Sequence, residues 1–275
     1  MQKKPRKTPN TDKEEGVQNS LPGTTKHVVI PDGQVKPGTP IDHWEWAANY
    51  IVDKHPDFIH NLGDFNDMAS LSSHSTTREM ENKRYKEDIE YGKEAMNLFM
   101  RPILKEQARL KRRGIIWQPK LDFYLGNHEY RISRSLNETP KLVGTIGLED
   151  LGYKEFGWEV HDYLRVVQRR GICFSHYFTT GILGKPCTSA RVLVQKKHLS
   201  CIMGHVQKRE VHYEYDAMGR KLTGIFAGIY YQHDEDYLGP QGNNTDRGLW
   251  TLYNVKEGEF SEQFIPIEYL QHKYK

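Results

Sequence analysis

Residues Leu121 to Arg131 read LDFYLGNHEYR. A run of alternating apolar residues ends at Gly126, and an amide, an imidazole and a carboxylate follow at once in Asn127, His128 and Glu129. Alternation with period two marks a β-strand, so these polar groups arrive at a strand end. The fold turns on whether other strands deliver comparable groups to the same place.

Upstream, His27-Val-Val-Ile30 is short, β-branched and apolar, and stops at the breaker cluster Pro31-Asp32-Gly33. Residues 41–54 (IDHWEWAANYIVDK) then place Trp44, Ala47, Ala48, Ile51 and Val52 on one helical face. DFIHNLGD follows as a second strand ending at Gly63-Asp64. Strand, helix, strand at this spacing predicts a parallel βαβ pair. Residues 78–113 predict a long charged helix with Tyr85, Ile89, Met96, Phe99 and Ile103 at helical spacing, a kink or break at Pro102, and a basic end at Lys105, Arg109, Lys111, Arg112 and Arg113. Those cations complement a helix C-terminus, with a nucleic-acid face as the lesser reading.

Downstream, GICFS leads to His176, a helix is expected from Thr188-Ser189 through ARVLVQKK, and LSCIM leads to Gly204-His205. Two segments alternating around Met218-Gly219 and Glu257-Gly258 predict antiparallel hairpins. The expected architecture is α/β at the front and a β-meander at the back, with no internal repeat.

The chain of 275 residues has ample length to bury a core, as one large or two modest domains. Met1 to about Thr25 offers almost nothing to bury and is expected to be a disordered basic tail, with one domain over 26–275. Cys173, Cys187 and Cys201 have neither framework nor metal-ligand spacing and read as reduced thiols of a cytoplasmic protein. A net charge of +3, from 39 basic and 36 acidic residues, neither demands nor excludes a polyanionic partner. No run approaches the ~18 apolar residues of a membrane span, and no signal-peptide h-region follows the first lysines.

Asp32, Asp64, Asn127, His176 and His205 therefore each follow an apolar strand. Singly, each is an ordinary turn residue or a satisfied polar group. Ligands in α/β sheets bind off the carboxyl ends of strands, and carboxylate, amide and imidazole converging there suit a divalent cation.

Gly63-Asp64, Gly126-Asn127-His128-Glu129, His176 and Gly204-His205, in this order and at these intervals, resemble the calcineurin-like metallophosphoesterase superfamily over roughly Lys26 to Gln207. The resemblance implies an α/β fold in which a β-sandwich is flanked by helices, with two metal ions at the strand ends. It implies that Asp64 bridges both ions, that Asn127, His176 and His205 complete the second site, and that Asp32 belongs to the first. A water acidified by two cations would attack phosphorus in line. His128 would protonate or stabilise the leaving oxygen, and Asp67 would orient His128.

Two departures concern the first ion. Asp32-Gly33-Gln34 stands where the family has Asp-x-His, and Gly204-His205-Val206-Gln207 where it has Gly-His-x-His. Gln34 and Gln207 would offer neutral oxygens, which favour Mn²⁺ or Mg²⁺ over Zn²⁺ and leave the first site weak or vacant. A third departure concerns substrate: Met68 replaces the arginine with which the family's protein phosphatases grip phosphate, so a phosphoprotein is disfavoured. His74, on the loop that follows, is a candidate substrate contact. The basic helix and tail, with Tyr230, Tyr231 and Tyr237, favour a nuclease-like activity on DNA, RNA or nucleotide phosphodiesters. A phosphomonoesterase on a small substrate, and a degenerate fold kept as a binding module, are the alternatives.

Overall fold

A computed structural model describes residues 21–73, 81–235 and 239–275. Most of the expected tail, His74 and Tyr237 lie outside the described residues.

Strand β1 (Thr25–Ile30) starts at the last residue assigned to that tail. It alternates as its β-branched run requires: Val28 and Ile30 enter one apolar cluster, and Val29 enters another. Helix α1 (His43–Lys54) buries Trp44, Ala47, Ala48 and Ile51 and ends where His55 turns left-handed, its N–H donating to the Ile51 carbonyl. β2 (Phe58–Asn61) runs parallel to β1. The long helix α2 (Tyr85–Arg112) starts later than its charge pattern suggests and continues through Pro102. The expected break is absent because Phe99, Met100 and Ile103, on either side of the proline, are buried in the same core as α1, and packing outweighs the one backbone bond proline removes.

β3 (Lys120–Tyr124) and β4 (Glu159–His161) extend the parallel set, with α3 (Tyr130–Glu138) between them. β5 (Val167–Arg169), β6 (Ile172–Phe174), the short pair β7 (Thr179–Thr180) and β8 (Lys185–Pro186), α4 (Ala190–Lys197) and β9 (Cys201–Met203) follow. The chain closes with the hairpins β10 (Arg209–Tyr215) with β11 (Lys221–Ala227) and β12 (Gly248–Lys256) with β13 (Glu259–Pro266), then α5 (Ile267–Tyr274).

Two sheets dominate, a six-stranded one ordered β13-β12-β1-β2-β3-β4 and a five-stranded one ordered β10-β11-β9-β6-β5. Both hairpins form at the expected turns, but they do not make a meander. The first joins the second sheet, where β6, β9 and β11 run parallel, and the last pairs antiparallel with β1 in the first sheet. One apolar cluster unites Val29, Leu62 and Tyr124 of the first sheet's segments with Phe174, Ile202 and Ile225 of the second. The other face of the first sheet packs on α1, α2 and α5, and that of the second on α4. All three cysteines are free and buried. No helix among the described residues is long and apolar enough to cross a membrane.

Candidate metal centre

β1, β2, β3, β6 and β9 run mutually parallel within their sheets, and the segment after each carries one of the polar groups singled out above. Close approach of these segments depends on two glycines. A Cβ at Gly126 would overlap the Asp64 carboxylate, and one at Gly204 would overlap that of Asp32. Five non-glycine residues of the region hold left-handed backbones: Gln34 (φ 40°), Asp64 (48°), Met68 (51°), His205 (67°) and Gln207 (58°). Strain concentrated in this way is sustained only where the surroundings over-determine it.

Glu129 supplies much of that constraint. Its buried carboxylate accepts the backbone N–H groups of Gly126 (2.8 Å), Asp64 (2.9 Å) and Asn66 (3.0 Å), and the Tyr153 hydroxyl at 3.3 Å. The loops after β2 and β3 are thereby tied to one side chain. Asp64 Oδ1 in turn accepts the His128 N–H at 2.9 Å.

Four donor atoms then meet. Asn127 Oδ1 is 2.9 Å from His176 Nε2 and 2.8 Å from His205 Nδ1, and Asp64 Oδ2 is 3.4 Å from His176 Nε2. Metal–ligand bonds of about 2.0–2.2 Å at octahedral or tetrahedral angles place neighbouring ligand atoms about 2.8–3.6 Å apart, so the donors fit one divalent ion. Asp64, His176 and His205 together have the spacing to hold a cation. His176 Nδ1 lies 2.8 Å from the Leu62 carbonyl, which directs Nε2 to the cluster.

Asp32 is fully buried, and both carboxylate oxygens accept the His205 N–H at 3.0 Å. Gln34 is fully buried, and neither its Oε1 nor its Nε2 has a partner among the described residues. Its backbone N–H donates to the Asp64 carbonyl at 2.7 Å, and a buried amide without a partner suits an oxygen-liganded cation. Gln207 lines the cleft and its Oε1 accepts the Tyr231 hydroxyl at 3.4 Å.

His128 stands beside the donor cluster. Its Nδ1 is 2.7 Å from Asp67 Oδ1 and its Nε2 3.7 Å from Asp64 Oδ2. Burial works against a charge on His128, but the carboxylates of Asp64 and Asp67 outweigh it and raise its pKa. Burial likewise opposes charge on His176, which Asp64 holds up to about 9, whereas burial and the His176 charge push His205 down to about 4. Burial alone would lift Asp64, yet His128 and His176 hold it below the usual carboxylate range. Asp32, with burial dominant, is pushed up to about 7. A cleft of about 520 Å³ opens over Asp64, Asn127, His128 and His205, with Gln207, Lys208 and Thr245 on its wall.

A second acidic group, Asp122, Glu159 and His161, is also close enough to hold a cation. There Arg169 already grips Asp122 through two bonds of 2.9 and 2.6 Å, which neutralises it as an ion pair.

Two aromatic residues expected to stack on bases cannot do so. Tyr230 and Tyr231 are both 0% exposed, the first donating to the His43 carbonyl within the core and the second stacked on His233. Aromatic residues followed by QHDEDY read as surface in the sequence, but the isolated bridge pairing Ile229 with Asp32 draws them inside. Glu129, Tyr153 and Arg131, by contrast, carry contacts to site residues that the sequence reading left without a role. Arg131 was within sight, one helical turn after His128.

No family model and no curated protein matches the chain. Among solved structures it is similar to a dimetal phosphatase from Danio rerio, with 12% identity and a TM-score of 0.43 over 89% of this chain and 96% of that one.

Proposed function

We propose that the chain is a metal-dependent phosphoesterase whose centre lies at the strand ends of a helix-flanked β-sandwich. The observation that carries this reading is the meeting of Asp64, Asn127, His176 and His205 donor atoms within 2.8–3.4 Å of their neighbours, with His128 alongside. Asp64, Asn127, His176 and His205 would hold one divalent ion; Asp32, Gln34 and Gln207, sharing Asp64, would hold a second, weaker one. Mn²⁺ or Mg²⁺ suits the two amide oxygens better than Zn²⁺. Divalent ions there supply Lewis acidity and an acidified water.

The protein's own part is positional and protonic. His128 keeps Nδ1–H on Asp67 Oδ1 at 2.7 Å, which orients the ring and stabilises its charged form. Nε2, on the cleft side near Asp64, is then the atom that gives a proton to the departing oxygen. A scaffold kept only for binding has no need of that dyad. The expectation of a nucleic-acid substrate loses Tyr230 and Tyr231 to the core, and Arg109 at the basic helix end is paired with Glu106 at 2.7 Å. The proposed substrate is therefore a phosphate ester, and the aryl diester and monoester assays below separate the two classes.

Purified protein analysed for bound metals, then assayed on bis-nitrophenyl phosphate and nitrophenyl phosphate before and after exhaustive chelation, tests the reading. Bound divalent metal and chelation-sensitive hydrolysis are expected. Hydrolysis that survives complete metal removal would overturn it.

A further inference from the structure

We propose that Arg131 is the phosphate-gripping cation of this site, supplied from the first turn of α3 in place of the arginine missing at Met68. The inference rests on the phosphoesterase reading and goes beyond it by naming the group that recognises the substrate's charge.

The guanidinium is held in two halves. Nη1 donates to the Asp67 carbonyl at 2.8 Å, to the Met68 carbonyl at 3.3 Å and to Asp67 Oδ1 at 3.4 Å. Nη2 lies 3.2 Å from His128 Nε2. The Arg131 side chain is only 11% exposed, so this is a partly desolvated charge with a fixed direction rather than a solvated surface arginine. Its position follows from the helix: Arg131 is three residues after His128, and its N–H closes on the His128 carbonyl at 3.1 Å.

Arginine has only donors, so Nη2 can bond Nε2 of His128 only while that nitrogen carries no proton. Delivery of a proton from Nε2 is incompatible with the same bond. When Nε2 faces the leaving oxygen, two donors, Nη2 of Arg131 and Nε2 of His128, confront the same small volume. A phosphate ester resolves this by placing one oxygen against each. The Nη1 half stays on the Asp67 and Met68 carbonyls, so the guanidinium need not leave its anchor to change partners. Left-handed Met68 (φ 51°), fully buried, turns its own side chain away from the cleft into the core and exposes the carbonyl that Arg131 uses.

Orthophosphate binding to the metal-loaded protein, measured by calorimetry, tests this apart from turnover. Arg131→Ala is expected to weaken orthophosphate by roughly 10- to 100-fold and to raise KM for an aryl phosphate while bound metal stays at the wild-type level. Arg131→Lys should recover part of the affinity, because charge is kept while the fork is lost. If Arg131→Ala does not fold, Arg131→Gln, which can still donate to the Asp67 carbonyl but is neutral, serves as the readout. Unchanged orthophosphate affinity in Arg131→Ala or Arg131→Gln, with kcat alone reduced, would show that Arg131 merely braces the Asp67 loop and would overturn the proposal. Wild-type protein with neither metal nor chelation-sensitive hydrolysis would instead overturn the phosphoesterase reading beneath it.

Discussion

His176 Nδ1 lies 2.8 Å from the carbonyl oxygen of Leu62, the residue just past β2. A carbonyl only accepts, so Nδ1 carries a proton and Nε2 is the ring atom turned toward Asn127 and Asp64, where an ion would take the place of its proton. The strand that supplies Asp64 thus also sets the tautomer of the imidazole beside it. His176→Ala should reduce bound metal by at least one equivalent, and Mn²⁺ should restore activity to chelated wild type better than Zn²⁺. Elemental analysis with activity recovery on metal addition measures both.

His128 is not one of the residues spaced to hold the cation, which are Asp64, His176 and His205, and its Nε2 stands 3.7 Å from Asp64 Oδ2. His128→Ala should therefore cut turnover by about 10²- to 10⁴-fold with bound metal unchanged. The loss should shrink on substrates with acidic leaving groups, which need little protonation. A rate series over phenols of graded acidity, with metal content determined for each protein, reads this out.

In the proposed function Gln34 and Gln207 would offer amide oxygens to the first ion. Restoring both histidines should tighten that site and shift its preference toward Zn²⁺, and the double variant should gain more than the sum of the singles because the two side chains share one ion. Calorimetric titration of Mn²⁺ and Zn²⁺ into Gln34→His, Gln207→His and the double variant is the measurement. Unchanged stoichiometry in all of them would remove Gln34 and Gln207 from the centre.

Glu129 accepts three buried backbone N–H groups. Glu129→Ala leaves all three without their acceptor, at about 1–3 kcal/mol each, so a loss of roughly 3 kcal/mol or more is expected from denaturant unfolding. Glu129→Gln, which keeps an acceptor oxygen, should fall less.

His43 and His60 are fully buried, and desolvation pushes each down to about 3. An unfolded chain protonates them below about pH 6.5, while the folded protein keeps them neutral to about pH 3. The unfolded state therefore takes up protons first as the pH falls, so their contribution is complete above 6.5 and is lost below it. The slope is about 1.4 kcal/mol per pH unit for each histidine. The urea midpoint of His60→Gln relative to wild type should therefore rise from pH 7.5 to 6 to 5, because wild type alone loses the His60 contribution.

The strand-end donors were legible because each sits where a short apolar run meets a breaker, a signal that needs only neighbours in sequence. Glu129 was not, since its role exists only once Gly126, Asp64 and Asn66 bring their N–H groups to one carboxylate across 65 positions of chain. Arg131 was given no role for the same reason. Tyr230 and Tyr231 misled because polar neighbours such as Gln232 and His233 suggest surface, whereas a bridge to Asp32 decides their burial. Both late hairpins could be read from their turns, but the choice of sheet for each depends on edges that lie far away in the chain.

The pairing of β12 with β1 has a consequence for the order in which the protein is assembled. Thr25 and Val255, 230 positions apart, meet across that pair. Until the last hairpin is available, the strand leading to Asp32 has an open edge and the β1-β2-β3 unit presents Val28, Val29 and Ile30 beside it. Contacts so distant are slow to form, and an open apolar edge meanwhile templates pairing with other chains. During synthesis, then, the donor cluster gains a rigid frame only at the end, and a chain stalled before Gly248 carries the residues of the centre without the strand that locks the sheet leading to Asp32, Asp64 and Asn127.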